Sequence, residues 1–107
     1  MNENYFKLEV LVPEEYKNSI TEVFNKYGIG RTEKYDSYIT YSYVTSSWRP
    51  LENSKPFRGR LNELHEEKEI KIETICPKDI IEKVVGEIKK VHPYEEPVIN
   101  AIPIIYF

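Results

Sequence analysis

A single cysteine, Cys76, rules out a disulfide within the chain and fits a reducing compartment. Positive charge is not in excess. The 15 lysines and arginines stand against 18 aspartates and glutamates, a formal charge of −3, whereas a general nucleic-acid binder carries a basic footprint. No apolar run approaches the roughly 20 residues that span a bilayer. The opening MNENYFKLEV has no basic stretch followed by an apolar one, so neither a membrane helix nor a signal peptide is expected. Among only 4 glycines there is no glycine-rich phosphate cradle of a known type. The acidic run NELHEEKE holds one of just 2 histidines, His65, and lacks the His-Glu-x-x-His spacing that sets two imidazoles on one helical face; it reads as a solvated approach to a strand. What remains is a cytoplasmic, globular chain of 107 residues, 40% hydrophobic and 31% charged. That is one domain over 1–107, large enough to bury about two thirds of its unfolded surface without a staple.

The pattern of what is present is regular. YFKLEVLVP alternates, placing Phe6, Leu8, Val10 and Val12 on one face of a strand. Pro13 suits a first helical turn, Glu14 and Glu15 suit the positive end of its dipole, and Tyr16, Ile20, Val23, Phe24 and Tyr27 form an apolar stripe before a capping Gly28. The tyrosine- and threonine-rich segment Glu33–Val44 predicts a second strand. EIKIETIC predicts a third, with Ile70, Ile72, Thr74 and Cys76 on one face. PKDIIEKVVGEIKKV predicts a second helix with Ile80, Ile81, Val84, Val85, Ile88 and Val91 inward, and Val98–Tyr106 a fourth strand.

The two halves rhyme. With Pro13 set over Pro77, Tyr16 meets Ile80, Ile20 meets Val84, Phe24 meets Ile88 and Tyr27 meets Val91. Two strand–helix–strand units give βαββαβ, an α+β ferredoxin-like sandwich with both helices on one face of an antiparallel sheet. On this register the other face carries Tyr5, Leu11, Ile39, Tyr41, Tyr43, Ile75, Val98, Ile102 and Ile104. So large an apolar patch predicts packing against another copy of the same surface, a homo-oligomer.

Four features then combine: the triplet Trp48–Arg49–Pro50, the turn Pro56–Phe57–x–Gly59, the IET strand before Pro77, and the motif His92–Pro93–Tyr94–Glu95–Glu96–Pro97. Together they resemble the small CutA/PII-like domain found within bacterial members of the Nif-three-like (NGG-interacting-factor) family. The ending His-Pro-Tyr-Glu followed by NAIPI is similar to that of CutA. The likeness runs from Tyr5 to Ile104. It implies the ferredoxin-like fold and, as in CutA and PII, a homotrimer; the metal chemistry of the larger Nif-three-like core is not implied. The chain departs from the pattern in having Ser46, Ser47 and Asn53 where glycines are usual, and in lacking a histidine or cysteine in its second strand.

Two segments are candidate sites. His92 with Glu95 or Glu96 could hold a divalent cation, although real sites need three or four ligands with fixed supporting groups. Against this, Pro93 and Pro97 stiffen the chain, a histidine suits a helix C-terminus, and Tyr94 can bury its ring with its hydroxyl paired. The stiff, interface-lining corner is the preferred reading. The second segment is the long link from about Thr45 to Asn62, with Arg49, Lys55, Arg58 and Arg60 against Glu52. By similarity to PII it corresponds to a long regulatory loop beside a nucleotide cleft, which would bring an anion to Arg49, Arg58 and Lys90. A solvated arm, with Trp48 and Phe57 packed on a neighbour and the charges left in water, is the preferred reading. Cys76 reads as a small buried hydrophobe. Base stacking on the tyrosines is not expected, because RNA-recognition modules put their aromatics on the third strand.

The expectation is a non-enzymatic, homotrimeric CutA/PII-like module binding a small ligand or a protein partner. Tyr41, Tyr43, Trp48 and Tyr94 are expected at its interface. The alternative is a divalent-metal-binding protein of the CutA type, concerned with cation tolerance, using His92, Glu95 and Glu96. No nucleophile–base or acid–base constellation is present.

Overall fold

A computed structural model describes residues 2–107, with side chains from position 4 onward. The strands are β1 (Asn2–Val12), β2 (Thr40–Trp48), β3 (His65–Pro77) and β4 (Ile99–Tyr106), and the helices are α1 (Lys17–Lys26) and α2 (Ile81–Val91). The sheet is wholly antiparallel in the order β2-β3-β1-β4, the ferredoxin-like βαββαβ arrangement. Among the described residues no helix is long and apolar enough to cross a membrane.

The internal repeat is visible in the backbone. Pro13 and Pro77 have nearly identical dihedrals (φ −57°, ψ 143° and φ −59°, ψ 143°), and each leads into a one-turn 3₁₀ segment before its helix. Ile20 and Val84, and Phe24 and Ile88, are fully buried equivalents. They pack on Leu8, Val10 and Val12 of β1 and on Ile70, Ile72 and Cys76 of β3. Tyr16 and Ile80 are half-buried against the same cluster. The last pair breaks the symmetry: Tyr27 packs on the core while Val91, expected inward, is exposed.

The helix ends differ accordingly. At the end of α1, Gly28 adopts φ +64°, with its N–H on the Asn25 carbonyl and that of Ile29 on the Phe24 carbonyl. This is the paired-hydrogen-bond glycine stop, with buried Ile29 and Phe24 as its apolar contact. At the end of α2, His92 turns to extended backbone (φ −74°, ψ 134°), as the residue before Pro93 must.

The central strands depart from expectation in extent and facing. β2 begins at Thr40, not Glu33, and runs on to Trp48; β3 begins at His65. Much of the expected approach run and of the start of the expected arm is therefore one hairpin, pairing Thr45↔Lys68 through Trp48↔His65. This hairpin draws the molecule out to 47 Å along one axis against 21 Å across the others. The register Tyr41↔Ile72 and Tyr43↔Ile70 sets both tyrosines on the helix-covered face, not the open one as expected. Lys17 lies 4.3 Å from the Tyr41 ring centroid, and the Tyr43 hydroxyl donates to Glu14 at 2.8 Å. Ile39 likewise packs on the core.

The open face is consequently mixed. Tyr5, Leu11, Ile75, Ile102, Ile104 and Tyr106 lie there as the strand alternation requires. Between them runs a charge ladder: Lys7–Glu73 at 2.6 Å, Lys71–Glu73 at 3.6 Å and Lys71–Glu9 at 3.9 Å. Cys76 lies under the helices, where burial first and Asp79 second push its thiol up to about 11. Labelling by a disulfide reagent at pH 8 should therefore be at least about 100-fold slower than for free cysteine until the protein unfolds. Rapid labelling would show an open core.

Candidate functional site

The site is built where the 49–64 loop folds back over the His92–Pro97 corner. His92 is buried, and its Nε2 donates to the Leu11 carbonyl of β1 at 2.7 Å. Its Nδ1 accepts the backbone N–H of Tyr94 at 3.2 Å. This fixes one tautomer and occupies both nitrogens. Desolvation holds the imidazole pKa below its ordinary value. Tyr94 then turns across the open face and donates its hydroxyl to buried Glu69 at 2.7 Å. Burial, and then that carboxylate, drive the Tyr94 phenol far above its usual range.

On this ring rest the aromatics of the arm. Trp48 lies 5.5 Å and Phe57 6.1 Å from Tyr94, centroid to centroid, and His65 sits 4.9 Å from Trp48. The Trp48 indole N–H donates to the Arg58 carbonyl at 3.2 Å, and Phe57 meets Tyr16 edge-on at 5.8 Å. Arg58 is the tie of the loop, with its guanidinium bridging Glu15 ahead of α1 and Glu67 of β3. The His65 ring, 2.7 Å from Glu67, and then Arg58 hold the Glu67 carboxyl below the ordinary carboxylate range. Glu95 accepts the backbone N–H of Lys55 at 2.8 Å and closes the far side of the loop. Together these contacts enclose a cleft of about 690 Å³, floored by Leu11, Glu69 and Val98 and walled by Trp48, Phe57 and Tyr94.

The three basic residues expected to share an anion are not brought together. Arg49 is exposed at the cleft, Arg58 is engaged by two carboxylates, and Lys90 projects from α2 onto Glu87 at 3.2 Å. Nor do His92, Glu95 and Glu96 converge. His92 faces inward to Leu11, Glu95 reaches Lys55, and among the described residues no three His, Cys, Asp or Glu side chains form a metal-holding group. Trp48 and Tyr94 meet in the aromatic cluster, while Tyr41 and Tyr43 lie on the other face of the sheet. Glu69 was missed by sequence reasoning. Its one signal is position: it precedes Ile70 on the alternate face, where Lys71 and Glu73 mark the polar side.

This architecture is that of the CutA/PII-like fold. The structure matches divalent ion tolerance protein CutA1 from Ehrlichia chaffeensis with a TM-score of 0.72 at 19% identity, over 100% of this chain and 87% of that one. It matches the B. subtilis GlnK–ATP complex with a TM-score of 0.66 at 19% identity, over 96% and 86%. The sequence is more specific. It is 37% identical over 103 residues to a GTP cyclohydrolase 1 type 2 homolog of Halalkalibacterium halodurans, and 34% identical over 98 residues to that of Bacillus subtilis. These alignments cover 95% and 92% of this chain but only 27% and 26% of the relatives. A Bacillus cereus protein related to NIF3 matches with a TM-score of 0.81 at 26% identity, over 95% of this chain and 26% of that one. No protein-family model matches the chain. The chain is a homologue of the CutA/PII-like segment of the Nif3-like proteins, spanning about a quarter of their length.

Proposed function

We propose that the chain is a non-enzymatic binding module that works as a homotrimer through its open sheet face. The observation that carries this is the uncovered face itself. Both helices lie on the other side, while Tyr5, Ile75, Ile102 (42% exposed) and Ile104 flank a ladder of two lysines and two glutamates that neutralise one another. Apolar flanks favour burial, and internally paired charges make burial of the centre tolerable. The likeness to CutA and PII supports three copies. Phe57, Trp48 and Tyr94 at the cleft supply the contact surface for a small ligand or a protein partner, and the free Cys76 thiol suits a cytoplasmic location. The divalent-metal reading draws no support from His92, whose nitrogens are both occupied.

Ile102→Asp sets a carboxylate opposite Lys7, which already pairs with Glu73, and so leaves the open-face ladder with one negative charge in excess. Sedimentation equilibrium at micromolar concentration should show a trimer for the unaltered protein and a monomer, still folded by circular dichroism, for the variant. A trimer unchanged by the substitution would mean that another surface assembles the protein.

A further inference from the structure

The floor of the cleft holds a carboxyl group with no cationic partner among the described residues. Glu69 is only 3% exposed, yet its hydrogen-bond donor is the Tyr94 hydroxyl, and among the described residues no lysine or arginine pairs with it. The neighbouring His92 is no counter-charge, since its Nδ1 accepts the Tyr94 amide. A buried carboxylate satisfied by one phenol is costly and retains lone pairs for further donors. Glu69 lines the cavity together with Trp48 and Tyr94, whose rings pack on each other with centroids 5.5 Å apart. At the rim Glu52, Glu95 and Glu96 outnumber Arg49, while Arg58 is closed off by Glu15 and Glu67. The cleft is thus acceptor-rich, aromatic and negatively charged. An anion would meet one unpaired cation there, and a metal ion too few converging ligands. A flat or compact organic cation meets a carboxylate and ring faces at once.

We propose that this cleft binds a guanidinium or alkylammonium group, with Glu69 as its counter-ion and Trp48 and Tyr94 as its aromatic walls. The proposal rests on the binding-module reading and names the ligand class of that module. The group can come from a free small molecule or from an arginine or lysine of a second copy.

Trp48 is the only tryptophan in the chain, so its emission reports the site directly. The full chain would be titrated with arginine amide, with its uncharged counterpart citrulline amide and with ADP, while native mass is followed in parallel. A saturable change with arginine amide, at least tenfold weaker with citrulline amide and at least tenfold weaker in Glu69→Gln, supports a free ligand. No response to arginine amide, but a change in Trp48 emission as the assembly is diluted apart that Glu69→Gln abolishes, assigns the cation to a second copy. No change in either experiment overturns the proposal. So does a response to ADP that Arg49→Ala removes and Glu69→Gln keeps. A protein monomeric throughout yet responsive to arginine amide contradicts the trimer alone. Should Glu69→Gln fail to fold, Glu69→Asp, which retains the charge but shortens its reach, is expected to weaken binding in the same direction.

Discussion

Gly30→Ala is expected to destabilise the fold by about 4 kcal/mol, lowering the melting temperature by roughly 20 °C. Gly30 adopts φ +74°, and a Cβ there would stand 2.8 Å from Thr74 Oγ1 and 2.9 Å from the Tyr38 carbonyl oxygen. Neither neighbour can yield. Thr74 donates its hydroxyl to that same carbonyl at 3.0 Å, the Tyr38 N–H donates to the Gly30 carbonyl at 2.8 Å, and the Gly30 N–H donates to the Ile75 carbonyl at 3.3 Å. Left-handed strain contributes about 1–3 kcal/mol and overpacking about as much. Gly86→Ala is the control. It lies within α2 with nothing within 4 Å of the added carbon, and should stabilise by about 1 kcal/mol. Thermal unfolding of the pair checks both signs; equal small effects would mean that the Gly30 loop adapts freely.

His92→Ala is expected to cost about 3 kcal/mol, because it leaves the Leu11 carbonyl and the Tyr94 amide without their shared partner in a buried corner. Denaturant unfolding at pH 8 measures this. The pH dependence has a definite sign. The fold holds the imidazole neutral with its pKa below the unfolded value of about 6.5, so the unfolded chain binds the proton more readily. The contribution of His92 is whole above about pH 6.5 and is lost as pH falls through the folded value. The variant should lack this component. A metal ligand would behave otherwise: stability would fall with chelator, and His92→Ala would abolish that response.

The sequence made the helix layer and its core legible because two independent signals agree there. Alternation in β1 and β3 and the 3.6-residue stripes of α1 and α2 each point inward, and the Pro13/Pro77 repeat ties them to one topology. The second strand resisted for a physical reason. In TYSYVTSSW both faces carry residues of high strand propensity, so local pattern leaves the facing open by one residue, and only pairing with β3 settles it. Its start was hidden because 31–39 closes through Thr32, Tyr35 and Gly30 hydrogen bonds with no periodicity to read. The polar run ahead of Glu69 is strand because it pairs with Ser46–Trp48 beyond the helices, where no core demands an apolar face. At the corner, the helix stop at His92 and the paired hydroxyl of Tyr94 were legible from the prolines and the tyrosine. The cleft could not be read, since Glu15, Arg58, Glu67, Glu69 and Tyr94 lie far apart in the chain and meet only when the loop folds back.

The central claim, that the chain self-associates as a homotrimer, is tested most directly by native mass spectrometry of the untagged protein purified without chelator. A species of three times the 12.7 kDa chain mass at micromolar concentration is the predicted result. A monomer under those conditions would contradict the account, because the open face would then be exposed for some purpose other than self-association.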